Sequence, residues 1–435
     1  MELVHLTEKE YNEFQCQYRY NTFLNSIATF HLEQSLGFEC DLVGLKKDGK
    51  IVCACFMIRY PMMKCFHYYY APRGILIDYE NKELLSVFTK KLKKYIRKKR
   101  GVQLIIDPYI LYQERDADGK VVENGFNHQN VLDNLTSVGW IHQGFSTGYH
   151  SNMQTIRWMY AMNLDGYTKD SLWKALHQQT RWSINRTMKY KMQIKELSID
   201  ELDVFVDIMN QTGQRRGFET RNLEFYKCQM EAYKERLKCK LAYIDTSLLI
   251  QSLEKEKEEI EKEMKEVNEK LLEIPNSKKF NKKRKVLLEA IETNEKRMKE
   301  ASDLQKNYGD IIPMAASMFI YDRDEVIYLT SGAYEQFRDF YASYAIQWNV
   351  ICEALSMGYK RYNFYGISGI FDPEDESYGV YAFKKGFPGQ VEELIGDFDL
   401  VCRPILYKLN YKRKKRKSSG CHLFRRKCKS DSGRD

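Results

Sequence analysis

Hydrophobic positions recur in the same succession in two halves of the 435-residue chain. Residues 41–59 alternate as a hairpin, with Leu42, Val43 and Leu45 before a Lys47-Asp48-Gly49 turn and Ile51 to Met57 after it. An aromatic strand (Phe66 to Tyr70), a helix over about 82–99, Gly101 and an apolar strand Val102–Ile106 follow, and the strand stops at Asp107-Pro108. The second half repeats the order. A strand at Leu241–Ile244 precedes a hairpin of Ser317–Tyr321 and Val326–Leu329, a helix over about 342–356, Gly358 and a strand Tyr362–Tyr365. A glycine after each helix is the expected C-terminal stop. Antiparallel strands followed by a helix and a further strand, used twice, predict two related α/β domains packed together.

Between the halves the pattern changes. From about Ser247 to Asn307 the chain is rich in Glu and Lys, with apolar residues at Leu249, Leu253, Ile260, Met264, Val267 and Leu271, then at Leu287, Ile291, Met298 and Ala301. Steps of three, four and seven mark the seam of two long helices, and Ile274-Pro275-Asn276-Ser277 breaks them into an antiparallel hairpin. The arm is expected to interrupt the second domain after its first strand. It reads as a spacer or dimerisation device, or as a contact for a long partner such as tRNA.

Composition narrows the class. No run approaches the roughly 18 apolar residues of a membrane span, and the start lacks the basic-then-apolar pattern of a secretory leader. Eleven cysteines lie without repeating spacing and without a CxxC pair, so reduced thiols and a cytoplasmic setting are expected. Cys53 and Cys55 fall on one face of a strand and read as core. The net charge of +9 is concentrated at the end, with twelve Lys and Arg against two Asp from Lys408 onward. The run Lys412, Arg413, Lys414, Lys415, Arg416 and Lys417 fits anionic lipid headgroups or RNA phosphates, between which charge does not decide, or a merely solvated tail. A second basic run, Lys90 to Arg100, has Val87, Phe88, Leu92, Tyr95 and Ile96 at helical spacing and reads as a solvated helix face.

Five segments resemble the FemABX family of peptidoglycan-bridge aminoacyltransferases. Tyr70–Tyr79 (YAPRGILIDY) resembles its PRGP-type turn, Ile105–Tyr109 its strand-ending DP, and Gln179–Lys189 its RxxIxxA-type helix. Arg215–Arg221 with Phe225-Tyr226 resembles its RxxF…R…YY segment, and Gly379–Phe387 (GVYAFKKGF) its GxxxFKxGF motif. With Gln347-Trp348 and Tyr365–Ile367, the likeness spans the chain up to the basic tail. Phe23–Phe30 keeps the outline of the family's FxQSxxW segment but lacks its Trp and the following Lys, so a phosphate contact ascribed to that Lys has no counterpart.

The resemblance implies two tandem acetyltransferase-like (GNAT) domains with a groove between them. The first covers 1–155 and is completed by 392–411; the second covers 156–246 and 308–391, with the coiled-coil arm at 247–307 and the basic tail at 412–435. It implies transfer of Gly, Ala or Ser from aminoacyl-tRNA to the stem-peptide amine of a lipid-linked or nucleotide-linked precursor. Contact with the inner face of the membrane would follow from a lipid-linked substrate. The donor is an ester, so no metal, ATP or cofactor is expected. On this likeness Lys384 is the cation for the developing oxyanion, and Asp107, ending a buried strand, the base or amine-orienting group. Arg221, Tyr226, Arg73 and Tyr328 are expected to line the precursor groove, the guanidinium groups as clamps for phosphate or carboxylate.

Two other classes compete. An acyl-CoA-dependent N-acyltransferase should carry an RxxGxG/A pyrophosphate loop before a helix, and none is found. A non-enzymatic RNA-binding protein would explain arm and tail but not the duplicated domains. No Ser-His-Asp or Cys-His arrangement, metal-ligand histidine spacing or GxxxxGK[ST] loop is legible.

Overall fold

The structure, a computed structural model, describes residues 1–63, 65–149 and 155–410. The basic run 412–417 lies outside the described residues.

Two mixed sheets form the body, in the tandem α/β arrangement expected. The seven-stranded sheet orders its strands Glu2–His5, Glu39–Lys47, Lys50–Met63, Phe66–Ala71, Gly101–Ile106, Phe398–Val401 and Trp140–His142. The eight-stranded sheet runs Leu111–Glu114, Gln390–Leu394, Trp158–Asn163, Arg361–Ile367, Glu325–Ala333, Ile311–Asp322, Leu237–Asp245 and Gln193–Leu197. Each sheet has one parallel pair, bridged by a helix: Lys82–Lys98 between Phe66–Ala71 and Gly101–Ile106, and Ala342–Ser356 between Glu325–Ala333 and Arg361–Ile367. The duplication read from the apolar pattern is this shared strand–helix–strand crossover.

The sheets exchange strands across the sequence ranges assigned to the two domains. Leu111–Glu114 leaves the first range to pair with Gln390–Leu394 in the second sheet, and Phe398–Val401 returns between Gly101–Ile106 and Trp140–His142 in the first. Cys53, Cys55 and Met57 point into the first core, all fully buried, with Phe88, Leu92 and Ile96 of the crossover helix.

Gly101 does not act as the helix stop. Lys99 caps the helix and Arg100 takes the left-handed conformation (φ 59°), while Gly101 opens the strand, where a Cβ would lie 2.8 Å from Tyr69 Cε2 and overlap Ile96. Close approach of helix and strand, not turn geometry, sets that glycine. Gly358 (φ 79°) does follow its helix as expected.

Helices Thr246–Glu273 and Lys278–Tyr308 form the arm between Leu237–Asp245 and Ile311–Asp322. Leu249, Leu253, Val267, Leu287, Ala301 and Leu304 are buried along the seam, and Asn294 is buried among them, donating from Nδ2 to the Leu253 carbonyl at 3.0 Å. A single polar group at such a seam fixes register at some cost in stability. No helix among the described residues is long and apolar enough to cross a membrane.

Candidate functional site

The parallel pair of the second sheet is short. Glu325–Ala333 and Arg361–Ile367 are in register only from Glu325↔Arg361 to Ile327↔Asn363, after which a bulge between Asn363 and Gly366 turns the second strand away. Tyr365 sits at this bulge in the left-handed conformation (φ 61°), an uncommon state for an aromatic residue and one that clusters at functional positions. Gly366 follows because a Cβ there would overlap Ile156 Cδ1.

In the first sheet the turn after Phe66–Ala71 meets the Asp107-Pro108 strand end. Arg73 (φ 56°) and Gly74 (φ 85°) are both left-handed, and a Cβ on Gly74 would lie 2.9 Å from Pro108 Cα. The turn is thereby pressed onto the strand end. Asp107 Oδ1 accepts the Arg73 backbone N–H at 2.7 Å, Oδ2 accepts the Thr155 hydroxyl, and the Arg73 Nη1 lies 3.3 Å from Oδ2. Arg73 also donates from Nη2 to the Ile156 carbonyl at 2.9 Å, and the Tyr365 phenol stands beside its guanidinium. Burial raises the Asp107 carboxyl above its ordinary value against the opposing pull of Arg73, and the carboxylate in turn raises Arg73.

These contacts change two expectations. With Asp107 3% exposed and both its oxygens engaged, it holds the turn and faces no substrate space in this conformation. Arg73, equally buried, is the internal counter-ion of Asp107 and not a free clamp for phosphate. A buried guanidinium without its carboxylate would cost several kcal/mol, which is why the two stay together.

Lys384 lies in the last turn of helix Tyr378–Lys385. The residue is 5% exposed, and its ammonium donates to the Gly366 carbonyl at 2.5 Å, with Nζ 5.8 Å from the Tyr328 ring centroid. No carboxylate pairs with it among the described residues, and burial pushes it down to about 7. A desolvated ammonium with one carbonyl and one aromatic face is expensive to keep, and such groups concentrate at functional sites. Lys384 and Asp107 are thus joined through the Tyr365-Gly366 segment: Lys384 on the Gly366 carbonyl, Tyr365 on the Arg73–Asp107 pair. Tyr328 does not stand in an open groove. It is buried, stacked on Phe319, and donates to the Ser331 hydroxyl, backing Lys384 from beneath.

Of the Phe225-Tyr226 pair, Tyr226 is buried in the core against Phe205, which removes it from the groove lining. Phe225 is half-buried, and the exposed Arg221 guanidinium lies 5.0 Å from its ring centroid. Arg221 bears on Glu33 of helix Ile27–Ser35, whose carboxyl burial pushes up to about 7 while the arginine opposes the shift. The two halves therefore meet here as well, as they do where the Thr29 and Tyr233 hydroxyls lie 2.6 Å apart.

Sequence reasoning misses the Glu33 carboxylate and the polar cluster beside Tyr109. Arg361 forms a two-pronged pair with Glu392 (2.6 and 2.6 Å) and a third bond to Glu325 at 2.9 Å. These residues, with Tyr18, Arg19 and Tyr109, line a cleft of about 500 Å³. Only pairing across distant strands brings these charges together, so nothing in their local spacing signals them. Among the described residues no group of His, Cys, Asp and Glu could hold a metal ion.

Known proteins share this architecture. The solved structure of FemX superposes with a TM-score of 0.79 over 94% of this chain and 99% of that one, at 22% identity, a likeness of fold. The aminoacyltransferase FemA of Staphylococcus aureus strain MRSA252 is 34% identical over 399 residues, 92% of this chain and 94% of its own length. FemA of strain bovine RF122 matches to the same extent. A family model described as FemAB family matches residues 6–415. With the family model spanning residues 6–415 and FemA 34% identical over 92% of the chain, the chain belongs to the FemAB family.

Proposed function

We propose that the chain transfers an amino acid (glycine, alanine or serine) from aminoacyl-tRNA to the stem-peptide amine of a peptidoglycan precursor, lipid-linked or nucleotide-linked. The observation that carries this reading is Lys384: an ammonium withdrawn from water, without a carboxylate partner among the described residues, held by Gly366 next to the Tyr365–Arg73 contact between the sheets. Its relatives named as aminoacyltransferases supply the reaction class.

In the reaction the acceptor nitrogen attacks the ester carbonyl, a C–N bond forms and the C–O bond to the terminal ribose breaks. One proton leaves the attacking nitrogen and one ends on the ribose oxygen. Protonated Lys384 would stabilise the oxyanion of the tetrahedral intermediate, in a place where low dielectric strengthens the interaction. The ester is activated beforehand, so the step is downhill and needs no cofactor. Arg221, exposed on the second sheet's side and felt by Glu33 across the junction, would take an anionic group of the precursor.

The test is mass analysis of a precursor after incubation with several charged tRNAs and, in parallel, with acyl-CoA. Addition of one aminoacyl mass from charged tRNA, lost in Lys384→Met, is the expected result. Acylation from acyl-CoA alone would end this reading.

A further inference from the structure

The crossover helix Lys82–Lys98 buries Leu84, Leu85, Phe88, Leu92 and Ile96 against the first sheet and turns its cations outward. It carries seven Lys and Arg against one acid, Glu83 in its first turn. Lys90, Lys94, Arg97 and Lys98 are exposed and form no ion pair among the described residues, whereas Lys99 just beyond is held by Asp41 at 2.8 Å. A solvated helix face commonly alternates signs or pairs its charges; this one does neither.

The end of the described chain meets the carboxyl-terminal turn of that helix. Residues 404–410 are helical, and Arg403 before them donates from Nη2 to the Arg97 carbonyl at 2.9 Å. Tyr407 turns inward and donates to Asp399 at 2.8 Å. Ile405 and Leu409, one turn apart, point the other way, 78% and 55% exposed. The next residues in the chain include the run Lys412–Lys417.

We infer that the face made by Lys90, Lys94, Arg97 and Lys98 with Ile405 and Leu409 docks the protein on an anionic lipid surface. The cations would meet headgroups and the two aliphatic side chains would enter the boundary beneath them, since stable attachment takes an apolar and an electrostatic signal together. RNA fits less well: it gains from aromatic platforms, and the exposed apolar groups here are aliphatic. The inference goes beyond the proposed reaction and does not depend on it. Helix and strand run antiparallel, so Asp107 stands at the far end of Gly101–Ile106, roughly 20 Å from the docked edge for six residues at about 3.3 Å each.

Flotation of the full chain with vesicles of phosphatidylcholine alone, and of phosphatidylcholine mixed with phosphatidylglycerol, tests this. Binding to the anionic vesicles only, weakened by salt, is expected. Lys90→Gln/Lys94→Gln/Arg97→Gln should weaken it on the order of 100-fold, and Ile405→Ser/Leu409→Ser by at least about tenfold. Equal binding to neutral vesicles, no binding to anionic ones, or unchanged binding by the triple variant would overturn the inference. So would tRNA binding that the triple variant loses and the Ile405/Leu409 variant keeps, which would mark an RNA face. Transfer to a lipid-free acceptor should be unchanged in both variants. Absence of transfer by the unaltered protein would remove the catalytic reading and leave the vesicle result standing.

Discussion

The ammonium of Lys384 lies 2.5 Å from the carbonyl oxygen of Gly366, and the residue before that glycine, Tyr365, stands against Arg73 in the turn of the other sheet. The carbonyl lies just past the bulge, and the cation has no carboxylate partner among the described residues. The bond fixes where the charge sits and leaves further N–H donors of the ammonium for a substrate oxygen.

Replacing Lys384 by Met should separate activity from stability. Loss of an oxyanion partner lowers kcat by roughly 10²–10³, while removing a buried charge that no carboxylate pairs relieves its desolvation penalty, so the variant should be at least as stable as the parent. Steady-state kinetics and thermal denaturation on one preparation check this. A variant that is both active and less stable would show Lys384 to be a packing residue.

The same lysine sets a pH dependence. Its folded value, about 7, lies below the ordinary 10.5, so between these limits the unfolded chain binds the extra proton and stability rises with pH. Transfer that needs the ammonium should fall as pH rises through about 7. Titration of lysine labelled with ¹³C at Cε should show one resonance with a midpoint near 7, absent in Lys384→Met. A midpoint in the ordinary lysine range would remove the effect.

Gly366→Ala should cost roughly 1–3 kcal/mol by overpacking and displace the Lys384 acceptor. Combining it with Ile156→Ala, which removes the obstructing atoms, should recover much of both stability and activity. Failure of the pair to recover would place the strain elsewhere, at the left-handed Tyr365 next to it.

Asp107→Asn should lower stability by about 3–5 kcal/mol, because Arg73 is left buried without a counter-charge. Per folded molecule the rate should stay within about tenfold. A loss of 10²–10⁴, the contribution typical of a general base, measured on fully folded protein, would restore Asp107 to the chemistry.

Much of the architecture was legible because period-two and helical patterns are local. The paired crossovers, the arm and its break at Ile274–Ser277 all follow from apolar spacing. Gly101 was misread because a glycine after a helix looks the same whether it turns the chain or admits a neighbouring ring. At the site, family likeness pointed to Lys384, but no local pattern could say that Gly366 accepts its proton or that Asp107 and Arg73 satisfy each other. Tyr226 and Tyr328 illustrate the limit further. A tyrosine carries both a large apolar ring and a hydroxyl, and only packing decides whether it serves core or cleft.

The placement of Phe398–Val401 bears on how the protein is made. That strand lies inside the first sheet, hydrogen-bonded to Gly101–Ile106 on one side and Trp140–His142 on the other. Domains emerging from the ribosome ordinarily fold in order, the amino-terminal one first. Here the unit begun first must wait with an open seam until residues 398–401, some 250 positions beyond its Trp140–His142 strand, have been synthesised. A nascent chain cut anywhere before 398 would expose both flanking edges, which invite pairing with other chains, so the arrival of this one strand becomes the step that seals the older half.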